Sequence, residues 1–278
     1  MAKFEIVIDN LAVFVGEQNA RPESLLPISF TIEGKTLDNA TGDIVRKALQ
    51  DGLSVRSQIT PKDSTLMLEK LLDEGKDVLL LSVSSGICES FATAKYIAKG
   101  LGIKYPKRKI VVIDTLSCGA GEGLLWSLAC KLQQEGLELE QVAEKIEAAK
   151  QRLHHVFVTN DFSALASSSI ISQTAVVNIK PIFDVSSEGK VCMLQKTMGT
   201  KKALGDIVKY VSSTLAKDVD APLVITYGDV GGAKTLADGL KEKVAGARIE
   251  CSSENEFVSA YIGQEAVCIC FFGEQRRS

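Results

Sequence analysis

Three places in this 278-residue sequence gather hydroxyl groups where an apolar run ends. They are Ser57 in RSQITP (56–61), the pair Ser84 and Ser85 followed by Gly86 and Ser90 in SVSSGICES (82–90), and Thr115 with Ser117 in IDTLSCG (113–119). In a parallel α/β sheet the ligand side is the carboxyl edge of the strands, where loops pass into helix N-termini that carry unpaired N–H groups and a partial positive charge. Hydroxyls placed there can hold an oxyanion together with backbone N–H groups. A lone serine at such a handover is an N-cap. Two adjacent serines followed by Gly86, Cys88 and Ser90 are more than capping requires. Ser57 and Gln58 can reach the same edge, and the same stretch reads equally as a helix-entry loop with Thr60 ahead of Pro61.

Other chemistry-bearing residues are less organised. Gly119, Gly121 and Gly123 give G-x-G-x-G, not the G-x-G-x-x-G of a dinucleotide loop, and no acidic residue follows at a strand end. YGDVGGAKTL lacks P-loop spacing and reads as a strand-to-helix turn. His154 and His155 are the two histidines. As neighbours in a strand they point to opposite faces, so they cannot both meet one metal or one substrate. Cys268 and Cys270 share a strand face and read as core. The cysteines number 7, an odd count without C-x-x-C, so reduced thiols are expected. Neither a cofactor nor a metal is implied.

The elements that position these residues follow from periodicity. FEIVID (4–9), LPISFTI (26–32), DVLLLSV (77–83) and KIVVIDT (109–115) are near-continuous apolar runs of the kind buried on both faces of a parallel sheet. A helix is expected from Asp63, as N-cap, to Glu74, with Gly75 ending it. Another is expected from Leu137 to Leu153, on a stripe of Leu139, Val142, Ile146, Ala149 and Leu153. After Leu153 the pattern changes. HHVFVTN, VVNIKPIFDV and KVCMLQK arrive with few helical residues between them, and SSEG before Lys190 signals a hairpin. A helix near 201–217, a strand PLVITYGD, a helix near 232–244 and a last strand EAVCICFF complete the chain. The expected fold class is therefore α/β with two domains. Residues 1–153 are expected to form a parallel sheet flanked by helices, and residues 154–278 an α/β domain with a mixed or antiparallel sheet, and a cleft between two such domains is a common ligand site.

Composition narrows the function. An apolar share of 45% and a charged share of 24% are those of a globular chain with a real core. A net charge of −3, with lysines and arginines scattered, lacks the footprint of a nucleic-acid binder. No run approaches the roughly 18 apolar residues of a membrane span. MAKFEIVIDN breaks its apolar run with Glu5 and Asp9, so the expected location is cytoplasmic.

The order VIDN, RSQITP, SVSSGICESFATA, VIDTLSCGAGEG, NIKPIFDVSSEGKV, KKAL and AYIGQEAVCICFFG resembles the DegV family, bacterial proteins that bind a fatty acid between two α/β domains. The resemblance runs from residue 3 to about 273. It implies a long-chain fatty acid as ligand, held as by a carrier that is not itself an enzyme. Its carboxylate would rest on Ser57, Ser84 and Ser85, with Ser90, Thr115, Tyr261 and Gly263 close by. It also implies, as partner, a separate fatty acid kinase that phosphorylates the presented carboxylate. The sequence departs from the family at SSSII (167–171) in place of GGRI, and at Met198 where an arginine precedes KKAL. It departs again at Cys88 and Glu89 in place of serine and glycine. Tyr261 replaces the histidine of GxHxGPG, and Gln264 and Glu265 replace its proline and second glycine. The alternatives are a serine-dependent acyl hydrolase using Ser84 or Ser85, against which stands the lack of G-x-S-x-G, another small-molecule enzyme such as a phosphotransferase related by fold, against which stands the lack of a nucleotide loop, and a ligand-sensing regulatory protein with altered head-group specificity, to which Tyr261 and Glu265 point.

Overall fold

The computed structural model describes residues 4–15, 24–37, 39–160, 165 and 180–276. In chain order the first elements are β1 (Phe4–Asp9), β2 (Leu25–Leu26), β3 (Ile28–Ile32), β4 (Lys35–Leu37), α1 (Gly42–Gln50), β5 (Val55–Ile59) and α2 (Pro61–Asp73). They continue as β6 (Asp77–Ser82), α3 (Ser90–Lys104), β7 (Ile110–Asp114), α4 (Ala120–Gln134), α5 (Leu139–Lys150) and β8 (Leu153–Val158). The remainder is β9 (Lys180–Val185), β10 (Val191–Thr197), α6 (Thr200–Thr214), β11 (Leu223–Tyr227), α7 (Val230–Lys243), β12 (Ile249–Ser253), α8 (Glu256–Ile262) and β13 (Val267–Phe272).

The apolar runs of β1 and β6 are continuous because both faces are covered. Phe4, Ile6, Ile8, Leu79 and Leu81 enter one core cluster, while Val7, Val78 and Leu80 enter another on the opposite face. These strands make a wholly parallel sheet in the order β2-β1-β6-β7, with Ile8 beside Leu81 and Ser82 beside Asp114. The second large sheet runs β10-β9-β8-β13-β11-β12, antiparallel except for β11 with β12. Helices α6 and α7 cover one of its faces, through Leu204, Ile207, Leu236 and Leu240. On the other side α4 lies between the sheets, touching β1 and β6 of the first and β8, β11 and β13 of the second. Leu124, Leu125 and Ala129 of α4 therefore share a cluster with Leu79 and with Leu153, Cys270 and Phe272. The core is continuous across the change of pattern at Leu153.

Several sequence expectations need correction. β3, from LPISFTI, is not in the parallel sheet; it pairs antiparallel with β4 and β5 in a three-stranded sheet of its own, while Leu26 alone of that run joins β2. The helix expected from Asp63 starts at Pro61 with Thr60 as N-cap, since proline is suited to the first helical position and needs no N–H there. Asp63 then sits in the first turn, where its charge complements the helix dipole. The helix expected to reach Leu153 stops at Lys150, and Leu153 begins β8. Leu153 fits the helical spacing because it enters the same core cluster as Val142 and Ile146, from a strand and not from a helix. The glycine run near residue 121 opens α4, a helix the periodicity did not reveal: a Cβ on Gly123 would lie 2.0 Å from the Val13 carbonyl oxygen, so the glycine is there for backbone approach. The SSEG hairpin joins β9 to β10, with the Ser186 N–H donating to Lys190 O and the Gly189 N–H to Ser186 O. The SSSII stretch and the first residues of VVNIKPIFDV lie outside the described residues.

Candidate functional site

A narrow cavity opens where the three sheets meet α8. Leu11 reaches it from the end of β1, Phe30 from β3, Ser57 from β5, Ile87 and Cys118 from the loops after β6 and β7. The mixed sheet contributes His155, Phe157, Val185 and Val191. Helix α8, capped by the Asn255 side chain, which accepts from the Phe257 N–H at 2.9 Å, adds Phe257, Val258, Tyr261 and Ile262. The i, i+1, i+4, i+5 spacing of these four is one face of a helix. The rings of Phe30 and Phe257 pack at a tilt of 33°, 4.8 Å between centroids, holding α8 against the small sheet.

Among the described residues, four polar side chains interrupt the apolar wall. Burial pushes the Tyr261 phenol up to about 12, against the smaller lowering effect of the neighbouring Ser57. Cys118 Sγ lies 3.8 Å from His155 Nδ1. Burial, with Glu122 and Glu254 nearby, raises the Cys118 thiol well above its usual range. Burial, with the Arg276 guanidinium behind it, lowers His155 to about 4. All three titratable groups are held uncharged near neutral pH. His154, its sequence neighbour, turns away, stacks on Phe271 at 5.0 Å and meets the Tyr210 hydroxyl at 2.9 Å through Nδ1. The opposite-face expectation for the two histidines is what the strand does.

Of the residues nominated from sequence, Ser57 and Tyr261 line this cavity; Ser84, Ser85, Ser90, Thr115 and Gly263 do not. Ser84 is buried, its hydroxyl donating to Gly189 O at 2.7 Å and accepting from the Gly86 N–H at 3.1 Å. Ser85 is exposed, and its N–H donates to Asp114 Oδ1 at 3.1 Å. Ser90 Oγ accepts from the Ile59 N–H at 3.0 Å, tying the start of α3 to β5. Thr115 Oγ1 donates to Ser82 O at 2.8 Å, and Gly263 closes α8 by donating its N–H to Ser259 O. The N–H groups that would meet an external oxyanion are also taken. Val83 donates to Asp9 Oδ2, Ser84 to Ser117 O, Ile87 and Cys88 to Ser84 O, and Glu89 to Ser57 O. Asp114 Oδ1 accepts at this strand edge from the Ser85 and Leu116 N–H groups, each at 3.1 Å. The donors counted toward an anion cradle at SSG have partners within the chain.

Sequence reasoning missed Cys118 and His155 as cavity groups. The period of β8 contained half of the signal, since whichever face holds Phe157 must also hold His155. The aromatic and aliphatic wall had no local signal, because its members come from distant segments. Among the described residues no group of three or more His, Cys, Asp or Glu side chains is arranged to hold a metal ion, and no helix is long and apolar enough to cross a membrane.

Comparison with known proteins places this geometry. The DegV domain-containing protein YteA of Lactococcus lactis is 28% identical over 248 residues, 87% of this chain and 80% of that one. A fatty acid binding DegV family protein from Streptococcus agalactiae superposes with a TM-score of 0.82 at 21% identity, covering 99% of this chain and 100% of that one. The Streptococcus pneumoniae Fatty Acid Kinase B3 protein, solved loaded with linoleic acid, gives 0.81 at 19% identity over 98% of this chain and 100% of that one. At these identities the two structures establish a shared fold. A family model described as "uncharacterised protein, DegV family" matches residues 3–274, and the chain belongs to that family.

Proposed function

We propose that this chain binds a long-chain fatty acid, or a similar single-chain lipid, in the cavity beneath α8, and serves as a carrier and not as an enzyme. The observation that carries this reading is the wall itself: Leu11, Phe30, Phe157, Val185, Phe257 and Ile262, from five separate elements and loops, converge on one space. An acyl chain of about 16 carbons placed there gains on the order of 10 kcal/mol, at about 0.8 kcal/mol per methylene, before the costs of binding. The fatty acid binding named for the Streptococcus agalactiae relative and the linoleic acid loaded in the Streptococcus pneumoniae one support the choice of ligand. In this reading residues 1–153 form one domain, supplying Ser57 and Cys118, and residues 154–278 a second, closing the cavity with β8, β9, β10 and α8. Ser57 and Tyr261 are its head-group contacts.

Delivery to a partner kinase belongs to the same proposal, supported by the name of the Streptococcus pneumoniae relative. The hydrolase alternative finds little here to favour it. The Ser84 hydroxyl is given to a carbonyl, and His155 is directed at Cys118 instead of at a serine. Native mass spectrometry of protein purified from cells tests the reading. One single-chain lipid per chain is expected, and stripped protein should reload with it. Stripped protein that takes up no single-chain lipid at micromolar concentration would refute it.

A further inference from the structure

Helix α3 carries apolar side chains on two opposite sides. Its inner side, Ala94, Ile97 and Leu101, is buried in the core cluster that also holds Val78 and Leu80 of β6. Its outer side repeats Ala92, Tyr96, Lys99 and Ile103 at i, i+4, i+7 and i+11, which is one stripe along a helix. All four are exposed, and Tyr96 at 81% and Ile103 at 79% stand further out than any other large hydrophobic side chain among the described residues. At Gly100, beside the stripe, a Cβ would meet no other atom within 4 Å. Apolar residues scattered singly over a surface need no explanation, but two aligned on one exposed helix face do.

Charge accompanies the stripe. From Ser90 to Ile113 the chain carries Lys95, Lys99, Lys104, Lys107, Arg108 and Lys109 and no Asp or Glu, in a protein whose net charge is −3. The basic residues are scattered over the chain as a whole and gathered here. Lys104, Arg108 and Lys109 pair with Glu69, Asp77 and Glu140 of neighbouring elements. Lys95, Lys99 and Lys107 are exposed, and among the described residues no carboxylate lies within ion-pair distance of them. Protruding apolar side chains set among unspent cations match the surface of a bilayer that contains anionic lipid. An aliphatic side chain enters the acyl boundary, a tyrosine ring sits at head-group level, and lysines reach the lipid phosphates.

We propose that the outer face of α3 docks on a bilayer containing anionic phospholipid, with Tyr96 and Ile103 entering the interface and Lys95, Lys99 and Lys107 lying against the head groups. Helix α3 rests on β5, where Thr93 Oγ1 donates to Gln58 Oε1 at 2.8 Å, and β5 also carries Ser57 into the cavity wall. None of the docking residues lines the cavity, so the surface is present whatever the cavity holds.

Sedimentation of the full chain with sucrose-loaded vesicles tests the proposal. Vesicles of equal parts phosphatidylglycerol and phosphatidylcholine are expected to bind at least about tenfold more protein than vesicles of phosphatidylcholine alone, and about 0.5 M NaCl should remove most of that difference. Lys95→Glu with Lys99→Glu should lose binding, whereas Lys95→Arg with Lys99→Arg should keep it. Tyr96→Ser with Ile103→Ser should weaken it at least about fivefold. Equal binding to the two vesicle types, no binding to either, or parental binding by the glutamate pair overturns the proposal. So does binding that the serine pair leaves untouched, since it would mark a contact open to any polyanion. Lipid uptake by the same variants, read by native mass spectrometry, should match the parent and tests the carrier reading separately.

Discussion

The Ser84 hydroxyl donates to the Gly189 carbonyl oxygen at 2.7 Å, joining the loop after β6 to the β9–β10 turn across 105 residues of sequence. The contact leaves no space for a side chain on the turn. A Cβ at Gly189 would fall 2.1 Å from Ser84 Oγ and 3.0 Å from Leu116 Cα, at a φ of +75° that glycine tolerates and other residues resist. The hydroxyl at the end of β6 is thus a clasp between the parallel and the mixed sheet.

Breaking the clasp should be costly in two graded ways. Gly189→Ala is expected to lower unfolding stability by about 3 kcal/mol, from strain and overpacking together. Ser84→Ala should cost about 1 to 3 kcal/mol, because the Gly189 carbonyl and the Gly86 N–H lose a buried partner. Urea unfolding measures both. A Gly189→Ala midpoint equal to that of the parent would contradict the close approach.

Cavity variants separate wall from head-group contacts. Val191→Glu places a carboxylate among apolar groups and should abolish lipid uptake in native mass spectrometry, with the circular dichroism spectrum unchanged. Ser57→Ala and Tyr261→Phe each remove one hydrogen-bonding group and should weaken lipid binding by about tenfold or less. A loss as complete as that of Val191→Glu would mean that polar contacts dominate over the chain.

Asp9 and Glu122, at the end of β1 and the first turn of α4, are fully buried carboxyls. Asp9 accepts from the Leu11 N–H at 3.1 Å and the Val83 N–H at 2.8 Å, yet burial raises it from 3.8 to about 6. Burial and the nearby Asp9 raise Glu122 well above 4.5. For a carboxyl raised on folding, the native state holds the proton more tightly. The stability it brings is full below the unfolded pKa and lost as pH rises through the folded one. For Asp9 the loss falls between about pH 4 and 6 and is on the order of 3 kcal/mol. Urea unfolding across this range should show Glu122→Gln with a flatter pH dependence than the parent. An identical slope would count against a protonated Glu122 in the folded protein.

Tyr210 bridges α6 to β8 and β9, its hydroxyl 2.9 Å from His154 Nδ1 and donating to Asp184 Oδ2 at 3.4 Å. Tyr210→Phe leaves both buried groups short of a partner and should cost about 1 to 3 kcal/mol by thermal or urea unfolding. Because His154 faces away from the cavity, lipid binding by this variant should match that of the parent.

By itself the sequence determined what depends on near neighbours. The runs of β1, β6 and β7 announce a sheet covered on both faces, the serine-rich strand ends announce a loop edge, and the two-residue period of β8 separates His154 from His155. The change of pattern at Leu153 and the SSEG turn announce antiparallel pairing. The tertiary structure alone decided which polar groups face open space. Ser84, Ser90 and Thr115 turn inward because carbonyls and N–H groups from other segments are there to pair with them. Ser57 and Tyr261 line one cavity, and Cys118 meets His155, only because β5, α8, β8 and the loop after β7 converge. A hydroxyl's type and position are written in the chain, but whether it is spent or available depends on partners tens to hundreds of residues away.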